Sequence, residues 1–243
     1  MMNKKTKLFF VCLNLIFTMQ IALANEIPVQ SISIDITNKP RLQRGAKLFM
    51  NYCSGCHSLK YMHYNQMAKD LGLTEGKVEK KLINNLIFTK AILYDPIAIA
   101  MPPEDAKRWF GVVPPDLSLS ARERGAVWLY NYLKSFYSDN ARLFGVNNLL
   151  VPNVAMPNVL EPLMGQMILV SNNESSLLLV KHGEMPPIQM DSALQDLVTF
   201  LVYVAEPAQL IRYRLGIFVL IFLCIMFIAA YLLNRVYWRR LKS

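Results

Sequence analysis

Cysteine and histidine are scarce in this sequence of 243 residues, which contains four cysteines and three histidines. Cys12 and Cys224 lie in long apolar runs near the two ends, so only Cys53 and Cys56 belong to the central region. This small number excludes a fold held together by a network of disulfides. Internal repeats and low-complexity segments are absent as well, which excludes a repeat architecture.

The central region also lacks net charge. Residues 25–211 contain 17 basic and 17 acidic residues, whereas the two flanking segments contain only basic ones and account for the whole formal charge of +9. A neutral domain does not supply the basic groove that binds a phosphate backbone, so we expect no nucleic-acid partner. The excess charge at the ends indicates membrane topology instead.

The N-terminal segment has the pattern of a secretory signal. Three lysines, Lys4, Lys5 and Lys7, precede an apolar run over residues 8–24, and this run ends in Ala22-Leu23-Ala24. Small residues at these positions are typical of a signal peptidase site, so we expect a signal peptide over residues 1–24. An uncleaved N-terminal anchor is the alternative, and the polar residues within the run make it the weaker one.

The C-terminal segment predicts a membrane anchor. Residues 215–233 contain no charged residue, and as a helix they would be roughly 28 Å long, close to the hydrocarbon thickness of a bilayer. We therefore expect an anchor over residues 212–234. More basic residues follow this segment than precede it, which predicts a cytoplasmic tail at 235–243 and a periplasmic domain at 25–211, on the inner membrane.

The two central cysteines stand in the run Cys53-Ser54-Gly55-Cys56-His57. This is the C-x-x-C-H pattern that attaches a c-type haem: each thiol forms a thioether to one vinyl group, and the following imidazole ligates the iron. The sequence thus predicts one covalent haem c, held through Cys53 and Cys56, with His57 as an iron ligand.

Two other uses of a C-x-x-C pair carry less weight. A zinc ribbon needs a second pair of ligands, and the remaining histidines are His63 and His182. A redox-active dithiol prefers a thioredoxin-like βαβ context, which this sequence lacks.

The sixth position of the haem iron decides between ligand chemistry and electron transfer. The candidate ligands are His63, His182 and three methionines that each precede a proline, Met101, Met156 and Met185. A thioether would favour a high-potential electron carrier. Spacing alone does not choose among the three methionines.

Helical periodicity places most of the domain in helices. It predicts helices over residues 41–52 and 77–87, a helix of about sixteen residues that begins with a capping box at Ser120 and Glu123, and a last helix from Asp191 or Ser192 to Pro207. Residues 140–180 are predicted to form a long loop around the cofactor. The expected fold class is mainly α: a cytochrome c-like haem domain with long loops and little strand, plus one C-terminal transmembrane helix.

Several runs outside the haem motif carry a family resemblance. They are Arg44-Gly45, Pro114-Pro115-Asp116-Leu117-Ser118, Ala121-Arg122-Glu123-Arg124, Ala155-Met156-Pro157 and Ala205-Glu206-Pro207. With these runs, nearly the whole mature chain resembles the cytochrome c1 family, the haem subunits of quinol–cytochrome c reductase (bc1) complexes, and in particular its bacterial members.

The resemblance implies roles for five residues of the site. His57 would be the proximal iron ligand and Met156 the distal one. Arg124 matches an arginine near a haem propionate, and Tyr130 a tyrosine close to the methionine ligand loop. Pro115, with the preceding proline, would line the proximal side.

The resemblance also implies the function. The chain would take an electron from a Rieske iron–sulfur protein and pass it through haem c to a periplasmic cytochrome c, while a cytochrome b subunit holds the anchor. The subunit itself would make and break no substrate bonds. The alternatives are an anchored c-type cytochrome of another respiratory complex, or an anchored thiol–disulfide oxidoreductase that uses Cys53 and Cys56.

Overall fold

The computed structural model describes residues 29–73, 92–99, 101–172 and 174–241. The predicted signal peptide over residues 1–24 and the predicted helix over residues 77–87 lie outside the described residues.

The described residues form a mainly helical domain followed by one long helix. The helices are α1 (Lys39–Tyr52), α2 (Tyr64–Asp70), α3 (Pro103–Phe110), α4 (Ser120–Arg124), α5 (Ala126–Lys134), α6 (Glu161–Met164), α7 (Pro187–Ala205) and α8 (Gln209–Leu241). The strands are β1 (Leu59–His63), β2 (Pro96–Ile97), β3 (Phe136–Ser138), β4 (Val146–Asn148), β5 (Gly165–Asn172) and β6 (Glu174–His182). The mainly α class with one C-terminal apolar helix is confirmed.

The core forms where α1 packs against α7. Helix α1 begins at Lys39, two residues before the predicted start at Arg41, because Asn38 caps it, its side chain accepting a hydrogen bond from the Arg41 backbone N–H. Phe49 meets Phe200 with ring centroids 5.9 Å apart. Gly45 lets the two helices approach closely, since a Cβ there would collide with the backbone of Asp196.

Helix α7 is longer than predicted. It begins at Pro187 rather than at Asp191 or Ser192, because a proline with its fixed φ suits the first position of a helix. It ends at Ala205, before Pro207, as the sequence predicted.

The single helix predicted from Ser120 is divided into α4 and α5. Gly125 interrupts it with a φ of 87°, a conformation that ends one helix and starts the next. The predicted capping box does not form: the N-cap is Leu119, without a side-chain hydrogen bond, so Ser120 is already helical.

The loop predicted for residues 140–180 is in part a β-hairpin. Strands β5 and β6 pair antiparallel from Gly165 opposite His182 to Asn172 opposite Glu174. Strands β3 and β4 form a second antiparallel pair, and β1 and β2 a third. The prediction of little strand was therefore wrong for this region, where continuous apolar runs pair with each other.

Helix α8 is long and apolar enough to cross a membrane once. The span runs over residues 209–239, its most apolar window has a mean hydropathy of 2.9, and none of that window is buried within the protein. The helix begins before the predicted anchor and continues beyond it to Leu241. The limits of the bilayer along α8, and with them the limits of the anchor at 212–234, stay a prediction.

Candidate haem site

A cavity of about 430 Å³ lies between α1, α4, α5, α7, the end of α3 and two loop segments. Its wall is mostly apolar and includes Leu129, Leu133, Leu197 and Leu201. The volume falls in the range of roughly 300–1,000 Å³ that is usual for small-molecule and cofactor sites. The cavity also brings together residues from distant parts of the chain.

The cysteine and histidine residues reach this cavity through the turn that ends α1. The Cys53 N–H donates to the carbonyl of Phe49 at 2.8 Å, and the N–H groups of Cys56 and His57 both donate to the carbonyl of Cys53. This tight turn places the two thiols and the imidazole together in the cavity wall. The geometry is local and follows directly from the end of the helix.

The imidazole of His57 is oriented by a backbone carbonyl. Its Nδ1 lies 2.7 Å from the carbonyl oxygen of Pro115, which can only accept, so Nδ1 carries the proton and Nε2 keeps its lone pair. Burial lowers the pKa of His57, although the Pro115 hydrogen bond and the charge of Asp116 oppose the shift. A neutral imidazole with a free Nε2 is the form that ligates a metal.

The segment that contains Pro115 is itself fixed against the chain beyond the turn. The Leu117 N–H donates to the Ser58 carbonyl at 2.9 Å. The Asp116 carboxylate accepts from the Lys60 N–H at 2.9 Å, and the Ser118 hydroxyl oxygen accepts from the N–H of Tyr61. These contacts explain in physical terms why a Pro-Pro-Asp-Leu-Ser run accompanies the haem motif.

The two thiols lack the environment of a redox-active pair. Burial raises the pKa of Cys53 to about 12, and burial also raises that of Cys56. A dithiol for disulfide exchange needs a stabilised thiolate. Nor do three or more His, Cys, Asp or Glu side chains gather into a metal site anywhere in the described part of the chain. Neither the dithiol nor the zinc interpretation finds support in this geometry.

Of the three Met-Pro pairs, the structure brings one to the cavity. Met156 lines the same cavity as His57, together with Ala155 and Pro157, whereas Met101 and Met185 do not line it. The two other histidines, His63 and His182, do not line it either. The structure thus places a thioether and an imidazole in one cavity.

The tyrosine beside Met156 is Tyr132 and not Tyr130. The Tyr132 hydroxyl lies 3.5 Å from the Met156 sulfur, to which it donates a hydrogen bond. Tyr130 is fully buried away from the cavity, where its hydroxyl donates to Asp191. The two residues point in different directions because a two-residue step turns the side chain by about 200° around a helix.

Arg124 stands at the cavity wall and remains largely exposed. Its guanidinium lies 5.3 Å from the ring centroid of Trp128 and 3.6 Å from the carboxylate of Glu123. Trp128 in turn stacks on Tyr132, with the rings 5.0 Å apart and 8° from parallel. Trp128 and Tyr132 are four residues apart on α5 and so share one face of it. Nothing in the sequence shows that this face, and not the face of Tyr130, meets the cavity.

The residues of the cavity fit a covalent haem. Two thiols can form thioethers, an imidazole and a thioether sulfur are ligands that haem iron accepts, and the apolar wall suits a macrocycle. An arginine at the wall suits a carboxylate side chain of the cofactor. The ligand roles of His57 and Met156 and the propionate role of Arg124 remain predictions, supported by where these side chains lie.

Comparison with known proteins gives one consistent family. The model of the Cytochrome C1 family matches residues 31–241. A cytochrome c1 from Allochromatium vinosum is 47% identical over 220 residues, which cover 87% of this chain and 88% of that protein. A cytochrome c1 from Rhodospirillum rubrum is 27% identical over 237 residues, covering 84% and 83%.

Two further similarities were found. The ammonia monooxygenase gamma subunit of Nitrosomonas europaea is 42% identical over 214 residues, covering 88% of this chain and 89% of that one. A chain from a structure described as a hyperthermophilic respiratory complex III aligns over 97% of both chains with a TM-score of 0.42 and 18% identity, which is too distant to indicate function. From the family match over most of the sequence, and the high identity to a bacterial relative over most of both chains, it follows that this chain belongs to the cytochrome c1 family.

Proposed function

We propose that this chain is the electron-transfer subunit of a quinol–cytochrome c reductase and carries one covalent haem c. Electrons would arrive from a Rieske iron–sulfur protein and leave to a periplasmic cytochrome c, with a cytochrome b subunit beside the membrane helix. The subunit transfers one electron at a time and changes no substrate bonds itself.

One observation carries the proposal: two thiols, an oriented imidazole and a thioether sulfur share a single apolar cavity. Met156 is far from the other three residues in sequence, so the fold has to bring it there. A site for small-molecule chemistry would leave the sixth position of the iron open, whereas a second protein ligand closes it and favours electron transfer.

Each residue of the chain has a definite task in this proposal. Cys53 and Cys56 hold the cofactor covalently, so the cofactor is retained in a small domain. His57 ligates through Nε2, because Pro115 occupies its Nδ1 proton. When bound, haem c supplies reversible one-electron oxidation and reduction of its iron.

Met156 would help to set the reduction potential of the haem, in addition to occupying the sixth position of the iron. A neutral thioether favours reduced iron more than a second imidazole does, which suits a carrier placed late in a respiratory chain. The Tyr132 hydroxyl, which donates to the Met156 sulfur, holds the thioether in one orientation. The apolar wall limits water at the site and so disfavours the more charged, oxidised state.

Helix α8 anchors the chain in a membrane once. Its orientation is part of the proposal: the signal peptide over residues 1–24 sends the domain at 25–211 to the periplasm, and the basic tail at 235–243 stays in the cytoplasm. The excess of basic residues after the anchor supports this orientation.

A second candidate differs in the assembly and not in the cofactor. The relative from Nitrosomonas europaea bears the name of an ammonia monooxygenase gamma subunit. A haem subunit of this kind could serve another membrane complex. The partners therefore have to be tested separately from the haem.

The test is purification of the full-length chain through a C-terminal affinity tag from membranes of its own organism in mild detergent. We expect a c-type pyridine haemochrome with one haem per chain, together with cytochrome b and a Rieske iron–sulfur protein. Haem without these two partners would favour another complex. Absence of covalent haem would overturn the proposal and restore the dithiol hypothesis.

A further inference from the structure

The proposed sixth ligand lies on a segment with no regular secondary structure. Between β4 and α6, residues 149–160 form neither helix nor strand. A side chain on such a segment is not held in place by a ladder of backbone hydrogen bonds. Other groups must fix the position of the Met156 sulfur.

The side chain of Asn148 ties this segment to the domain. Asn148 is 1% exposed. Its Oδ1 accepts hydrogen bonds from the N–H groups of Leu150 and Val151, at 2.9 and 3.1 Å, and from the Ser135 hydroxyl at 3.1 Å. Its Nδ2 donates to the backbone carbonyl of Tyr132 at 2.8 Å. One carboxamide thus makes four bonds inside the protein.

The preceding residue, Asn147, makes a second set of bonds to the same segment. Its Oδ1 accepts from the Asn153 N–H at 2.8 Å, and its Nδ2 donates to the Asp139 carboxylate at 3.0 Å. Asn153 has a φ of 64°, in the left-handed region that asparagine tolerates. The Met156 segment is therefore bound to these two side chains at three of its backbone N–H groups.

These bonds converge on the Met156 sulfur by two routes. The first runs along the chain from the Leu150 and Val151 N–H groups to Met156. The second runs through Tyr132, whose backbone carbonyl accepts from Asn148 and whose hydroxyl donates to the Met156 sulfur at 3.5 Å. Asn148 is the residue common to both routes.

We propose that Asn148 is a positioning residue for the sixth haem ligand and that its buried carboxamide sets how strongly the Met156 sulfur competes for the iron. This proposal rests on the proposed function, because it takes Met156 as the ligand. Asn147 supports the same segment two residues further along, at the Asn153 N–H.

The physical reason is the cost of unpaired polar groups. Replacement of Asn148 by alanine leaves the half-buried Leu150 and Val151 N–H groups without their acceptor. It also removes one of the donors to the Tyr132 carbonyl, which keeps its bonds from the Ser135 N–H and hydroxyl. The segment regains these bonds most readily if it moves outward to meet water. That movement withdraws the thioether from the position where it ligates.

The experiment measures how well imidazole displaces the sixth ligand from the ferric haem of the full-length chain in isolated membranes. The variants are N148A, which removes all four bonds, and N148D, which keeps the accepting oxygen but loses the bond to the Tyr132 carbonyl. N158A is the matched control: it removes an asparagine from the same segment whose side chain makes no hydrogen bond within the described residues. M156L tests the ligand itself.

We expect N148A to bind imidazole about tenfold more tightly than the wild type, N148D to lie between the two, and N158A to match the wild type. G45A, which loosens the contact between α1 and α7, should also match it. G45A lowers the stability of the domain without removing a bond of the Met156 segment. Tighter imidazole binding in N148A but not in G45A therefore reports a change in the position of the ligand and not a general loss of stability.

The possible results are distinguishable. If N148A and N148D both bind imidazole within about twofold of the wild type while M156L binds it more tightly, the role of Asn148 is overturned and the ligand assignment stands. If M156L itself leaves imidazole binding unchanged, the proposed ligand is incorrect. If N148A fails to assemble with haem, N148D decides: affinity above that of the wild type supports the proposal, and affinity equal to it contradicts it.

Discussion

The two sides of the haem cavity are built in different ways. The Cys53–His57 side is a turn at the end of one helix, in which neighbouring backbone groups bond to one another and Pro115 orients the imidazole. The Met156 side is a segment without helix or strand, held by side chains such as Asn148 that are themselves buried. The turn on the first side is fixed by backbone bonds among neighbouring residues, with Pro115 reaching it from a distant segment, whereas the second side is held by side-chain hydrogen bonds.

This difference separates retention of the cofactor from tuning of its chemistry. Covalent bonds and a rigid turn tolerate small movements elsewhere in the domain. A ligand on an irregular segment responds to any change in the contacts that hold it. Changes on the cysteine side should therefore affect the haem content of the chain. Changes on the methionine side should affect the reduction potential and ligand binding of the haem that is bound.

The largest expected effect is loss of the cofactor in the double variant C53A/C56A. Without either thiol no thioether can form, so we expect no covalent haem on the chain after denaturing electrophoresis and haem staining. C224A is the matched control, since this cysteine lies in the membrane helix, and it should keep full haem staining. Covalent haem in the double variant would contradict the attachment site.

Next in size is M156L, which should keep the haem and change its potential. Leucine fills nearly the same volume but offers no sulfur, so the core is preserved while the ligand is lost. We expect the midpoint potential to fall on the order of a tenth of a volt or more. A redox titration of membranes measures this, and an unchanged potential with normal haem content would place the sixth ligand elsewhere.

A moderate loss of stability is expected for G45A. A Cβ at this position would collide with the backbone of Asp196 in α7, and such overpacking costs about 1–3 kcal/mol. The control is G55A, because an added Cβ at Gly55 meets no atom within 4 Å. Thermal unfolding of the detergent-solubilised protein should show a lower midpoint for G45A alone, and equal midpoints would show that α1 can move away from α7 without loss.

The smallest effect is expected for Y132F, and it depends on pH. Burial raises the pKa of Tyr132 to about 12 from the ordinary value of 10. Because the folded-state pKa is the higher one, the stability from the protonated hydroxyl is fully present below pH 10 and is lost as the pH rises towards 12. Phenylalanine has no such loss.

The unfolding temperature of Y132F should therefore fall less than that of the wild type between about pH 8 and about pH 11. At neutral pH the variant loses only a weak bond to sulfur, which contributes less than about 1 kcal/mol. Y137F is the control, a change of the same kind at a residue outside the cavity wall. Equal slopes with pH for wild type and Y132F would contradict the buried role of this hydroxyl.

Features set by local sequence were predictable. The turn of Cys53, Cys56 and His57 follows from five adjacent residues, and α8 follows from one long apolar run. Helix α1 ended where its periodicity indicated, at Tyr52. In each case the interactions that decide the structure lie within a few residues of each other.

Features set by distant contacts were not predictable. The choice of Tyr132 over Tyr130 depends on which face of α5 meets the cavity and which meets α7. The sequence predicts a loop where the β5–β6 hairpin forms, because its apolar runs lack a strict alternation. The bonds of Asn148 join groups up to sixteen residues apart, and an asparagine in a sequence carries no signal of such a role.

In the proposed function, His57 and Met156 are the two protein ligands of the haem iron. The most direct test is the far-red methionine-to-iron charge-transfer band of the ferric full-length chain in membranes, compared among the wild type and the variants M156L, M101L and M185L. We expect the band in the wild type, M101L and M185L and its absence only in M156L. A band that persists in M156L would show that Met156 is not the sixth ligand.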